Sequence, residues 1–170
     1  MSVTEHKQNN QPVNCMIITV SDTRTVETDK SGNLMQDLLE QAGHHVVMRE
    51  IVPDEYSLIQ EAVRAGCDHP HIEVVLTNGG TGIAGRDVTI EAVTAIFEKE
   101  IPGFGEIFRY LSYKEDIGSA AILSRAVAGV LGQTAIISTP GSSGAVKLAM
   151  NKLIIPEISH MSKEIKKDYK

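Results

Sequence analysis

The first apolar run, Asn14–Val20, carries Cys15, Met16, Ile17, Ile18 and Val20, with Thr19 its one polar interruption after Asn14. A strand apolar on both faces fits the inside of a parallel sheet. Residues 32–42 change period: Leu34, Met35, Leu38 and Leu39 recur at helical spacing, Ser31 stands as N-cap and Gly43 as stop. His45–Val52 is the next strand, ended by Pro53. Asp54 is placed to cap a helix over 55–66, whose Leu58, Ile59, Ala62 and Val63 form one stripe. Residues 74–77 make a third strand, followed by a glycine-rich stretch and a helix from about Thr89 through Phe97. The order β-α-β-α-β-α predicts an α/β fold with a mostly parallel sheet and ligands at the carboxyl ends of its strands.

The second half is less regular. Phe104, Ile107, Phe108 and Leu111 predict a helix over 103–115, read as packing rather than as a stacking platform for bases. Residues 124–130 and 134–138 read as a strand pair turning through Gly132. A second glycine-containing loop, 140–144, follows. Helices over 146–153 and 157–166 are separated by Pro156, with Lys163, Lys166 and Lys167 at the negative end of the last dipole. There is no internal repeat or linker. Residues 13–170 read as one domain behind a disordered polar tail, 1–12.

Composition narrows the classes. No apolar segment approaches the roughly 20 residues needed to cross a bilayer. The N-terminus lacks the apolar centre of a signal peptide, so a cytoplasmic protein without a membrane partner is expected. A net charge of -6 argues against nucleic acid as a partner. Cys15 and Cys67 form no CxxC pair and read as small buried apolar residues. His44, His45, His69 and His71 lack zinc-site spacing and read as turn or surface residues.

The candidate chemistry lies in four loops that follow strands. Residues 21–24 bring Ser21, Asp22 and Arg24. Residues 53–54 bring Asp54. Residues 78–87 bring four glycines (79, 80, 82 and 85) with Thr81, Arg86 and Asp87, just after Thr77. Residues 140–144 bring a turn. Bare glycine backbone lets amides approach an anion closely, and a following helix favours negative charge. Three carboxylates, two cations and free amides suit a phosphorylated ligand with Mg²⁺. No Gly-Lys-Ser/Thr is present, and GxGxxG is incomplete. Taken singly, Asp54 reads as a cap, Asp87 as a first-turn carboxylate paired with Arg86 or the dipole, and Gly141 and Gly144 as turn residues.

Together, Thr77-Asn78-Gly79-Gly80-Thr81-Gly82, Gly85-Arg86-Asp87-Val88-Thr89 and Glu91-Ala92 resemble the molybdopterin-binding signature of the molybdenum cofactor biosynthesis proteins B and Mog. Thr19-Val20-Ser21-Asp22, Asp29-Lys30-Ser31-Gly32, Ala42-Gly43-His44, Gly103-Phe104-Gly105-Glu106, Leu123-Ser124-Arg125-Ala126 and Pro140-Gly141-Ser142 match in order, over nearly the whole chain beyond the tail. The resemblance implies a three-layer α/β/α sandwich and a homo-oligomer, trimer or hexamer. It implies molybdopterin as substrate, ATP as co-substrate and Mg²⁺ as cofactor, with other molybdenum cofactor enzymes as partners. The implied reaction adenylylates the terminal phosphate of molybdopterin and releases pyrophosphate. Asp54 and Asp87 match the catalytic and metal-holding carboxylates. Ser21, Asp22, Thr77, Gly79, Gly80, Thr81, Gly82, Arg86, Ser124, Pro140, Gly141 and Ser142 match the ligand-binding positions. The alternative is a non-catalytic molybdopterin-binding or assembly protein, which needs the glycine loop but not both carboxylates. Retention of Gly85-Arg86-Asp87 and of Asp54 favours the enzyme. A nicotinamide-dependent redox enzyme would need a full fingerprint after the first strand, and Ser21-Asp22-Thr23-Arg24 is not one.

Overall fold

Strand β1 (Asn14–Val20) sits between β2 (His45–Val52) and β3 (Val74–Asn78), parallel to both. The computed structural model describes residues 10–169, so the first nine residues of the expected tail lie outside the described residues. Strand β6 (Thr134–Thr139) continues the parallel set beside β3; β5 (Val127–Leu131) and the two-residue β4 (Lys99–Glu100) complete the sheet in antiparallel sense. The strand order is β2-β1-β3-β6-β5-β4. Every strand of the parallel set therefore delivers its carboxyl end to one edge.

Strand alternation builds the three layers. Cys15 and Ile17 of β1 face one way, packing with Met35, Leu39, Phe108, Met150 and Ile154. Met16, Ile18 and Val20 face the other way, with Ile59, Val63, Ala92 and Val93. The first layer comprises α1 (Lys30–Gln41), α4 (Pro102–Glu115), α5 (Ser143–Ala149) and α6 (Ile155–Lys166). The second comprises α2 (Tyr56–Asp68) and α3 (Thr89–Thr94). Each fully buried aliphatic side chain contributes about 1.5–3 kcal/mol, so the doubly apolar β1 carries much of the core. Cys15 belongs to that core, and burial pushes its thiol up to about 12.

Several local expectations are corrected. Asp29, not Ser31, caps α1: its carboxylate accepts the Gly32 N–H at 3.0 Å. Glu55, not Asp54, precedes α2, and no side chain caps that helix. The helix after the glycine loop stops at Thr94. Pro156 does not separate two helices. A widened π-type turn, Met150–Ile154, runs α5 into α6, and the proline takes an early position in α6, where it needs no ordinary helical N–H bond. Strand β5 starts at Val127 rather than 124. A short 3-10 helix, Gly118–Leu123, and β4 are too brief to leave a period in the sequence. His44 is buried rather than superficial; its Nδ1 accepts the Val13 N–H at 3.1 Å, and burial lowers its proton affinity. Asn10 and Gln11 accept hydrogen bonds from Ser159 of α6. Among the described residues no helix is long and apolar enough to cross a membrane.

Candidate functional site

The glycine loop begins where β3 ends. Gly79 and Gly80 take φ of 94° and 67°, a region in which L side chains are strained. Space forbids them as well. A Cβ on Gly79 would strike the Val20 carbonyl, and one on Gly80 would meet the Thr89 hydroxyl and the Asp54 carboxylate. The Gly79 N–H donates to Thr139 at 3.1 Å, and the Gly80 carbonyl accepts from Thr89 at 3.0 Å, which pins the loop between β6 and α3. Among the described residues, the N–H groups of Gly80, Thr81, Gly82 and Ile83 find no protein acceptor. Four successive amides without a protein acceptor are available to donate to an anion.

The loop is a wall between two clefts. One, about 440 Å³, is lined by Ser21, Asp22 and Arg24 after β1, Asp54 after β2, and Arg86. The other, about 400 Å³, is lined by Thr81, Gly82, Ile117, Leu123, Ser124, Arg125 and Pro140. Gly79, Gly80, Asp87 and Gly141 border both. Partial burial, and after it the nearby Asp87 carboxylate, raise the Asp54 carboxyl above its ordinary value. Two carboxylates that repel each other across a cleft are a place for a cation. Among the described residues no group of three or more His, Cys, Asp or Glu could hold a metal by itself.

The clefts rest on a polar scaffold. One Asp22 oxygen accepts the Asp54 N–H at 2.9 Å and the other pairs with Arg86. The Ser21 hydroxyl accepts the N–H groups of Thr23 at 3.2 Å and Arg24 at 3.1 Å, tightening its own loop. Arg24 donates to the Ser31 hydroxyl at 2.8 Å, and Ser31 in turn donates to the Gly141 carbonyl. Beneath them Asp29 is fully buried, accepting from Thr19 at 2.8 Å and Arg49 at 2.9 Å, with Arg24 3.7 Å away.

Of the residues picked out in the sequence, Ser21, Asp22, Asp54 and Arg86 meet in the first cleft, and Thr81, Gly82, Ser124 and Pro140 in the second. Arg86 reaches across to Asp22 rather than pairing with its neighbour Asp87. Two lie in neither cleft. Thr77 is fully buried and its hydroxyl donates to Ser138 at 2.7 Å. Ser142 caps α5, accepting the Ala145 N–H at 3.2 Å. Sequence reasoning missed Arg125, which grips the glycine loop, and Thr89, whose buried hydroxyl has no partner beside Gly80. Both stand inside matched motifs, but nothing local says which distant groups they meet.

Loop amides without protein acceptors, two carboxylates and two arginines thus gather at the carboxyl ends of the parallel strands of an α/β protein, the place where such folds take their ligands. Comparison with known proteins narrows this. Residues 16–160 match the model of the family described as "Probable molybdopterin binding domain". The chain is 67% identical over 169 residues to molybdenum cofactor biosynthesis protein B of Bacillus subtilis (strain 168), covering 99% of each. A crystal structure of a molybdenum cofactor biosynthesis protein B, 59% identical, superposes with a TM-score of 0.92 over 94% of this chain and 99% of that one. The tungsten cofactor synthesizing protein MoaB from Pyrococcus furiosus, 38% identical, gives 0.76 over 91% and 98%. The chain belongs to the molybdopterin-binding-domain family of cofactor biosynthesis proteins.

Proposed function

We propose that this chain acts in molybdenum cofactor biosynthesis by binding molybdopterin and adenylylating its terminal phosphate with Mg²⁺-ATP. The observation that carries the reading is the Asp54–Asp87 pair, two carboxylates that line one cleft together with Gly79 and Gly80 of the glycine loop. A pterin binder needs the amides and can use one carboxylate on the pterin's N–H edge; a second carboxylate facing the same cleft suits a cation.

The chemistry asks for alignment more than activation. An oxygen of the pterin phosphate attacks the α-phosphorus of ATP. A phosphorus–oxygen bond forms, the bond from the α-phosphorus to the bridging oxygen breaks, and pyrophosphate leaves with that electron pair. Such transfer needs positioning and charge neutralisation rather than an activated side chain. The amides from Gly80 to Ile83 would hold a phosphate at the wall between the clefts. Arg24 and Arg86 offset negative charge in the first cleft. Asp54 and Asp87 would hold Mg²⁺, which supplies further neutralisation when bound. The second cleft, with Ile117 and Leu123 beside Ser124, offers the pterin an apolar wall and a hydroxyl. Self-association, the other implication of the resemblance, has candidate residues outside the clefts: Ile107, Tyr110, Tyr113 and Ile122 are exposed on α4 and the 3-10 helix.

The test is Asp87→Ala, followed in two assays. Turnover of molybdopterin and ATP should fall by about 100-fold or more, while the pterin dissociation constant stays within about threefold. Equal loss in both would assign Asp87 to pterin recognition or to folding. Unchanged turnover would remove the carboxylate pair from the chemistry.

A further inference from the structure

The part of the glycine loop that carries Asp87 has almost no packing of its own. Residues 82–86 are exposed, Ile83 by 69%. Its internal ties are two hydrogen bonds, Asp87 N–H to the Ala84 carbonyl at 3.0 Å and Ala84 N–H to the Asp87 carboxylate at 3.1 Å. Beyond the Arg86–Asp22 ion pair, its remaining ties come from Arg125, between the 3-10 helix and β5. Its Nε donates to the Thr81 carbonyl at 3.0 Å. Its Nη2 donates to Gly82 at 2.6 Å and Asp87 at 3.1 Å, both through their carbonyls. Its Nη1 pairs with the Glu91 carboxylate on α3. A guanidinium is a flat fork of five N–H groups, and here it meets three carbonyls and one carboxylate.

The grip has a consequence for the amides. A trans peptide points its C=O and the next N–H in opposite directions, and no peptide among the described residues is cis. Drawing the Thr81 and Gly82 carbonyls onto Arg125 turns the N–H groups of Gly82 and Ile83 away from it, and those are two of the four amides without a protein acceptor. Holding the Asp87 carbonyl fixes the main chain that carries the cleft carboxylate.

We infer that Arg125 is a positioning residue: it sets the glycine loop so that the free amides and Asp87 are presented to the ligand. It acts through the loop and does not itself meet the reacting atoms. Its kinetic consequence rests on the adenylyl-transfer reading; its structural consequence does not.

Arg125→Lys and Arg125→Gln in the full chain test this, with Glu91→Gln as a milder variant that leaves all three carbonyl contacts in place. Exchange of the Ala84 and Asp87 amides, the hydrogen-bonded N–H groups of this segment, should quicken by about tenfold or more in both Arg125 variants while the sheet and helices keep their protection. Lysine should not rescue, because a point charge cannot span three carbonyls. Where transfer is measured, kcat should fall by about 100-fold, as misplacement of a site by about 1 Å can cost, with the pterin KM within about threefold. Unchanged exchange at Ala84 and Asp87 would overturn the inference. So would a loss wholly in pterin KM, which would make Arg125 a direct ligand contact. Absence of transfer by the unsubstituted protein would count against the adenylyl-transfer reading alone, and the exchange measurement would still decide the role of Arg125.

Discussion

The Asp22 carboxylate accepts the main-chain N–H of Asp54 at 2.9 Å, and its second oxygen pairs with Arg86. One side chain thus ties together the loops that follow β1, β2 and β3. Asp22→Ala should cost about 1 kcal/mol in urea unfolding, the worth of an exposed hydrogen bond and ion pair, yet slow turnover by at least about tenfold. Asp22→Asn keeps an acceptor for Asp54 and should recover most of the stability. A variant losing stability but no activity would make Asp22 a structural tie only.

The raised Asp54 carboxyl gives a sign that thermal melts can check. Burial and Asp87 both disfavour its charged form. A carboxyl raised in the folded state adds stability below its unfolded value, and that stability is lost as pH rises through the folded value. Near neutral pH the metal-free protein therefore carries the repulsion in full. Mg²⁺ or Mn²⁺ should raise Tm at neutral pH, the effect should fade as pH falls toward the ordinary carboxylate range, and Asp54→Asn should abolish it. A cation shift of equal size in Asp54→Asn would locate the metal elsewhere.

Asp29 offers the contrast. It is fully buried and serves Thr19, Arg49 and the α1 N-terminus at once. Asp29→Ala leaves those donors unpaired and should cost about 3–5 kcal/mol, lowering Tm by of order 10 °C for a chain of this length. Asp54→Ala and Asp87→Ala should change stability by about 1 kcal/mol or less, since their carboxylates line open clefts. Calorimetry on the three variants separates the carboxylate that holds the fold from those that face the ligand.

The difference between Asp29 and Ser31 also marks where sequence stops being legible. Doubly apolar β1 announced a parallel sheet, and a parallel sheet must gather its strand-end loops; Ser21, Asp54, the glycines and Asp87 could be grouped on that logic alone. Which of Asp29 and Ser31 caps α1 could not, because both types cap helices, and the choice was settled by where Thr19, Arg24 and Arg49 end up. Pro156 misled for a similar reason: the π-type turn before it accommodates the ring without a break. Arg125 was hidden by distance, since 44 residues separate it from the Thr81 carbonyl that it holds.

The apolar face of α4 and the 3-10 helix leads to a prediction about assembly. Ile122 is 84% exposed and Tyr113 60%, apolar area that burial against another copy would take from water. Light scattering should find a homo-oligomer, and Tyr113→Lys with Ile122→Glu should shift it to monomer at micromolar concentration. A monomeric unsubstituted protein would remove the assembly reading.

Adenylyl transfer itself is read most directly by incubating the purified chain with molybdopterin, Mg²⁺ and ATP labelled at the α-phosphate. Label should pass to the pterin, in step with pyrophosphate release and only when pterin is present. Molybdopterin bound and recovered without label, at a protein concentration that saturates it, would contradict the enzyme and leave a binding protein in its place.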